Sequence, residues 1–385
     1  MKKALFISMH SLDAFTGGSM ASRNFLKIVL SVFDGAVSVV AAAESAEMAE
    51  KLGVTEFHPV PKRTQLQKAT YLIRAVCRDR FTPYCERHFS ELLEGMTHVV
   101  IDGSMIGRFA PMIKRMAPSV HVTQLHHNFE RKFFADSIVH WAVKPFIRKI
   151  IDRNQGEGWH ASDLNLTFTE QDQMDLLEAY GNPSVGRAEV FGYYEDCGDM
   201  PAIVTRGQAS RSRVRMIITG NMSVPKGYEG AVWFVQDVLP ALDAAEYELV
   251  IAGRDPHPNL VDACQAVPSV TLIPNPVDME VLLKDANIFV NPSSIGSGIK
   301  VRNFDGLRSG LPVICHAGNA YGFEHMAPEV FSAFEDAATF RAHYEAVVLA
   351  SDERDLCLEV RTYYEQNCSI ERGAVYLQEL IGAGK

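Results

Sequence analysis

The chain has 385 residues, 47% hydrophobic and 22% charged, which is globular in character and too long for one core of ordinary size. No run of eighteen apolar residues occurs, so a spanning helix is excluded. The formal net charge of −10 is unevenly spread: residues 1–150 carry 20 Lys and Arg against 13 Asp and Glu, and residues 151–385 carry 17 against 34. A basic half joined to an acidic half points to an anionic surface or ligand met by the N-terminal part.

The opening MKKALFISMHS has two lysines and a short apolar run but no adequate apolar stretch or small-residue cleavage site, and it reads as a first strand over 4–8. His10 to Ser19, HSLDAFTGGS, follows, then a helical pattern to about Leu30. Gly17 and Gly18 let the backbone come close to a ligand, with Ser19 or Ser22 as helix cap, although such glycine pairs also serve steric needs alone. Further strands are expected near 36–41, 56–59, 98–101, 120–124, 164–168 and 188–190. The segment Gln124 to Glu130, QLHHNFE, ends a strand with two histidines suited to contacting ligand hydroxyls, His127 preferred over His126. The competing reading is a helix capped by Asn128 with both histidines merely exposed. Phe129 to Ile151 is helical in period and carries Arg131, Lys132, Lys144, Arg148 and Lys149. With Lys62, Arg63, Lys68, Arg74, Arg78 and Arg80 it forms a basic, aromatic-rich face suited to an anionic membrane. An ordinary amphipathic helix packed on its own sheet, kinked at Pro145, has the same pattern.

Asp196 to Arg213 is polar and reads as a linker. Beyond it, strands are expected near 214–219, 247–252, 270–273, 287–290, 312–315 and 330–331. Strands and helices alternate throughout, which argues for parallel sheets wrapped by helices. The expected division is a domain over 1–200, a linker over 201–213, a second domain over 214–369, and a final helix over 370–385 free to pack back on the first domain. Ligands of such sheets bind at the carboxyl ends of the strands. Four segments of the second half fall there: Ile217 to Gly227 (IITGNMSVPKG), Ile251 to Pro256 (IAGRDP), Pro274-Asn275-Pro276, and Asn291 to Val313 (NPSSIGSGIKVRNFDGLRSGLPV). In the last, a strand delivers a glycine-rich loop to a helix N-terminus, where free N–H groups and the helix dipole attract an anion. Lys300, Arg302 and Asp305 on that loop and first turn suit a ligand with both phosphates and hydroxyls. The seven cysteines lack C-x-x-C spacing, which argues for reduced thiols in a cytoplasmic compartment and against a zinc site.

The order G-x-G-I-K-x-R-x-x-D-x-x-x-x-G-x-P-V from Gly296 to Val313 resembles the donor-binding signature of retaining glycosyltransferases of family 4, the group 1 glycosyl transferases. Asp305 holds that signature's second acidic position, and Ser297 stands where the first Glu belongs. Gly220, Lys226 and Gly227 match the family's G-R-L-x-x-x-K-G, with Asn221 in place of the arginine. The resemblance implies a GT-B fold, an α/β architecture of two Rossmann-like doubly wound domains facing across a cleft. It implies catalytic roles for Lys300, Lys226 and His127. Donor contacts are implied for Gly17, Gly18, Gly220, Asn221, Arg254, Asn275, Ser297, Gly298, Ile299, Arg302 and Asp305. Arg302 then compensates for the cation missing at 221, the loop at Asn275 holds the base, and Asp305 takes the ribose hydroxyls. The implied reaction moves a sugar from a nucleotide diphosphate sugar to a glycan or lipid-linked acceptor in cell-surface polysaccharide synthesis. No D-x-D pair for a metal is present, and neither a cofactor nor a nucleic-acid partner is expected. Placement is expected to be cytoplasmic, peripheral on the inner face of the membrane. Two other readings stay open: a nucleotide-sugar 2-epimerase of the same fold, and a non-catalytic GT-B partner subunit.

Overall fold

The computed structural model describes residues 2–14, 16–62, 80–135, 144–198, 213–294, 298–353 and 355–383. Ser297, Arg63, Lys68, Arg74, Arg78 and all but the last residue of the expected linker lie outside that set. The chain divides into two compact units, Met1–Asp196 with Ser369–Lys385, and Cys197–Cys368.

The first unit is built on seven strands: β1 (Ala4–Ser8), β2 (Val37–Ala42), β3 (Glu56–Val60), β4 (His98–Asp102), β5 (His121–His126), β6 (Leu164–Thr167) and β7 (Arg187–Val190). They pair in parallel in the order β3-β2-β1-β4-β5-β6-β7. Every residue of β1, β2 and β4 is buried, because helices cover both faces of a parallel sheet; such strands are therefore continuous apolar runs. Its helices are α1 (Gly17–Val32), α2 (Ala46–Lys51), α3 (Phe81–Leu92), α4 (Phe109–Met116), α5 (Glu130–Ala135), α6 (Lys144–Ala161) and α7 (Glu170–Tyr180).

The second unit has six parallel strands, β8 (Val214–Asn221), β9 (Tyr247–Arg254), β10 (Val270–Pro274), β11 (Ile288–Asn291), β12 (Val313–His316) and β13 (Phe331–Phe334), in the order β10-β9-β8-β11-β12-β13. Around it run α8 (Pro225–Trp233), α9 (Pro258–Gln265), α10 (Met279–Asp285), α11 (Val301–Arg308), α12 (Ala337–Glu353) and α13 (Leu356–Cys368). The last helix, α14 (Ile370–Gly382), is capped by the Ser369 side chain and packs on the first unit. A Cβ on its Gly373 would come within 2.8 Å of Ile28 and Tyr194, so glycine sets the approach of α14 to α1.

Two local expectations change. Thr16, rather than Ser19 or Ser22, caps α1 by accepting from the Ser19 N–H. Of the helical stretch expected over 129–151, the described residues from Glu130 on fall in α5 and α6, and residues 136–143 lie outside the described set. Pro145 sits in the first turn of α6, where its missing N–H has no intrahelical acceptor to lose, so it starts a helix instead of kinking one.

Each sheet reverses its strand order once, between β1 and β4 and between β8 and β11. Those reversals open the crevices where doubly wound sheets bind ligands.

Candidate functional site

In the second unit, β8 ends at Gly220 and Asn221 and β11 ends at Asn291, the two strands flanking the reversal. Arg302, in the first turn of α11, lays its guanidinium against Gly220: a Cβ there would lie 2.5 Å from the guanidinium carbon. Glycine at 220 is thus the seat of that cation. Burial pushes the Arg302 guanidinium below its usual range, opposed by Asp305. Among the described residues Arg302 forms no hydrogen bond or ion pair. Asn221 does not reach outward; its Oδ1 accepts from the N–H and hydroxyl of Ser223, at 3.1 and 2.7 Å, and closes the turn.

Lys226 follows in the first turn of α8, exposed. Its carbonyl accepts from the Ser293 hydroxyl at 2.9 Å, and Gly230 lets α8 pack on the backbone at Pro292, so α8 and the glycine loop meet. Lys300 precedes α11 and donates from Nζ to the Gly298 carbonyl at 3.2 Å; Gly298, with φ +67°, makes the turn. Ile299 lies between them, partly buried. Asp305 lies one turn on, 3.3 Å from Arg308, with both side chains 37% exposed. The surrounding protein pushes the Asp305 carboxyl up, and Arg308 and Arg302 pull it back.

Arg254 ends β9 and Asn275 follows β10, both at the carboxyl edge of the sheet. Arg254 is exposed, near Asp255 at 3.9 Å. Asp255 and Asn275 both hold φ of +48°, a conformation that costs a non-glycine residue energy and gathers at functional sites. They are locked together: Asn275 N–H donates to the Gly253 carbonyl at 2.8 Å, and Asp255 N–H donates to Asn275 Oδ1 at 3.1 Å. Beside them Tyr228 stacks on His257, with ring centroids 4.1 Å apart.

Sequence reasoning missed the support beneath the glycine loop. Asn291 Nδ2 donates to Asn303 Oδ1 at 2.7 Å, Asn303 Nδ2 to the Asn319 carbonyl at 3.1 Å, and Asn319 Nδ2 to the Ser293 carbonyl. The three asparagines are buried and tie β11, α11 and the turn after β12 together. A lone asparagine in such a sequence reads as a turn residue, so no local signal marks the chain.

In the first unit the strand ends hold a buried ionisable cluster. Asp102, closing β4, has no solvent exposure and accepts from the Ser8 hydroxyl at 2.6 Å. Its other oxygen lies 2.6 Å from His127 Nε2, just past β5. Burial pushes the Asp102 carboxyl up, but His127 more than offsets this and leaves it below the usual range. The His10 ring lies tilted beside that of His127, centroids 4.5 Å apart, and is pushed down to about 4 by burial, then by His127, with Asp102 opposing. A Cβ on Gly18 would stand 3.1 Å from the His10 ring, so this glycine makes room for an imidazole. Gly17 is the first residue of α1. His126 and His127 are both buried, against the reading that they are merely exposed. His126 is engaged at both ring nitrogens, with Ser104 at 3.2 Å and Asn165 at 3.0 Å, which leaves it a structural part. Glu130, buried behind His127, is raised to about 7 by burial, with His127 opposing.

Known proteins resemble this arrangement. Residues 213–346 match the family model of glycosyl transferases group 1. HepE from Anabaena, solved in complex with UDP, is 11% identical over 99% of this chain and 100% of its own, with a TM-score of 0.68. Sucrose-phosphate synthase from Thermosynechococcus elongatus is 13% identical over 100% and 99%, with a TM-score of 0.67. The chain has the GT-B fold, and its residues 213–346 are similar to the group 1 glycosyl transferases. WaaG, a glycosyltransferase involved in lipopolysaccharide biosynthesis, shares the GT-B fold at 12% identity over 98% and 99%, with a TM-score of 0.63. An uncharacterized 44.6 kDa protein in the cps region of Klebsiella pneumoniae is 26% identical over 147 residues, 36% of this chain. The match spans about a third of that relative, 34% of its length.

Proposed function

We propose that this GT-B chain is a retaining glycosyltransferase of the family 4 type. It moves a sugar from a nucleoside diphosphate sugar to a hydroxyl of a glycan or lipid-linked acceptor in cell-surface polysaccharide synthesis. The observation that carries the reading is the seating of Arg302 on Gly220, which brings a cation from α11 to the end of β8 beside Asn221. Lys300 on the glycine loop and Lys226 on α8 belong to the same strand-end region. Cations aimed at a diphosphate stabilise the charge that develops as it leaves, the main catalytic effect such a site offers without a metal. Support comes from the similarity to group 1 glycosyl transferases, from a neighbour solved with UDP and with UDP-glucose, and from a partial relative in a cps region.

In this reading Asp305 accepts from the ribose hydroxyls, and the locked turn at Asp255 and Asn275 presents backbone groups to the base. His127, oriented by Asp102, contacts the sugar. Lys144, Arg148 and Lys149, all exposed on α6, dock the chain at the inner face of the cytoplasmic membrane. The test is nucleoside diphosphate release from a donor panel, with the product's anomeric configuration read by NMR. A retained configuration is expected, and an inverted one contradicts the reading.

One observation favours a second reading. The buried Asp102–His127 pair with Glu130 behind it is the kind of proton-handling group a 2-epimerase needs and a transferase does not. Incorporation of solvent deuterium into the sugar of the donor, without acceptor, distinguishes the two.

A further inference from the structure

His10 takes no part in the contacts assigned above, yet it is anchored as firmly as His127. Its N–H donates to the Ser8 hydroxyl at 3.2 Å, and that hydroxyl donates to Asp102 at 2.6 Å. Asp102 therefore orients both histidines, His127 directly through Nε2 and His10 through the backbone beside Ser8. Gly18, the second residue of α1, leaves the space that the His10 ring fills: a Cβ there would stand 3.1 Å from Cε1 and 3.2 Å from Nδ1. A ring held from its own backbone, packed on a helix start and set against a second ring keeps one orientation.

What this ring lacks is a hydrogen-bond partner. Among the described residues neither His10 ring nitrogen is bonded, and neither is a sealed polar atom; His10 is half-buried, whereas His127 is 5% exposed and His126 is bonded at both nitrogens. The Asp102 carboxylate is committed to His127 and Ser8. Burial and the neighbouring His127 hold His10 to about 4, so near neutral pH it is an uncharged imidazole with one nitrogen that accepts and one that donates. So weak a base does not strip a proton from an alcohol, but its lone pair holds one by a hydrogen bond. Among the described residues no group of three His, Cys, Asp or Glu could hold a metal, so the two rings are not a fragment of such a site.

We propose that His10 is the first unit's contact to the acceptor, its free ring nitrogen accepting from the hydroxyl that attacks the sugar. The proposal rests on the transferase reading above, in which His127 contacts that sugar. With ring centroids 4.5 Å apart, a group hydrogen-bonded to His10 lies beside whatever His127 touches, as an attacking hydroxyl must. His10 orients the hydroxyl and does not take its proton. The new bond joins the hydroxyl oxygen to the anomeric carbon, the bond from that carbon to the diphosphate oxygen breaks, and the proton leaves with the diphosphate. The group held here is a neutral hydroxyl, because a carboxylate has no proton to give that nitrogen.

The test is the partition of sugar between alcohol and water. The full chain is given each of a panel of sugar nucleotides with methyl α- and β-glycosides as acceptor probes, and transfer product, free sugar and nucleoside diphosphate are measured. Wild type should form a transfer product as well as free sugar. His10→Ala should lower the ratio of transfer to hydrolysis by at least about tenfold, the worth of one orienting hydrogen bond, and raise the probe KM. Donor KM and melting temperature should be kept. His10→Gln, whose amide oxygen still accepts, should recover part of the ratio. A ratio unchanged in His10→Ala, or a wild type that hydrolyses donor but glycosylates no probe, would overturn the acceptor contact and leave the donor reading intact. Transfer and hydrolysis falling together with a raised donor KM would place His10 on the donor instead. No release from any donor would sink the transferase reading, and the acceptor contact with it.

Discussion

At the scale of single residues, Lys300 and Asp305 separate rate from affinity. Lys300 stands inside the glycine loop at a helix start, where the dipole adds to its field. Lys300→Ala should lower turnover at saturating donor by about a hundredfold or more, the cost of one transition-state charge donor. Near-normal turnover would show that the diphosphate lies elsewhere. Ribose contacts are the same in ground and transition states, so Asp305→Asn should raise the donor KM and spare kcat. The reverse pattern would give Asp305 a direct part in the chemistry. Glu130 makes a pH prediction. Its carboxyl is raised from 4.5 to about 7, so between these values the folded chain holds a proton that the unfolded chain has lost. Stability therefore falls as pH rises through that window and is flat above it. Glu130→Gln should remove this loss, giving a chain more stable than wild type by up to about 3 kcal/mol above pH 7 and similar to it near pH 4.5. Urea midpoints at several pH values check it; a difference independent of pH would refute the assignment. Residue identities were only partly legible. The candidate cations could be picked from motif spacing, but the pairing of His127 with Asp102 joins positions 25 apart and needs β4 beside β5.

At the scale of elements, the glycine loop was readable because a strand, a breaker cluster and a helix follow one another in sequence. What seats Arg302 was not readable. The contact joins residues from two strand-to-helix turns that are adjacent only because β11 pairs with β8. Gly220→Ala tests that seat. The new Cβ displaces the flexible end of Arg302 and also strains the backbone, since Gly220 holds φ of +153°, so Arg302→Ala, which leaves the backbone alone, is measured beside it. Donor affinity should drop by about tenfold, the worth of one weakened charge-assisted hydrogen bond. An unchanged KM would mean that Arg302 does not touch the donor. The place of Pro145 was not readable for a different reason: a Pro compatible with a first turn looks the same in sequence as a kink.

At the scale of the whole molecule, the alternation of strands and helices was legible because parallel strands buried on both faces are continuous apolar runs. Sheet order was not, since the same alternation is compatible with several orders; the GT-B expectation came from the signature. The central claim is that this fold uses its own cations, without a divalent ion, to cleave a nucleoside diphosphate sugar. The most direct test is nucleoside diphosphate release by the full chain from a panel of sugar nucleotides, in EDTA, with and without added acceptor. The account predicts that at least one donor is cleaved, that chelator leaves the rate unchanged, and that Lys300→Ala removes it. Activity abolished by EDTA and restored by magnesium or manganese, or no cleavage and no thermal shift with any donor, would contradict it.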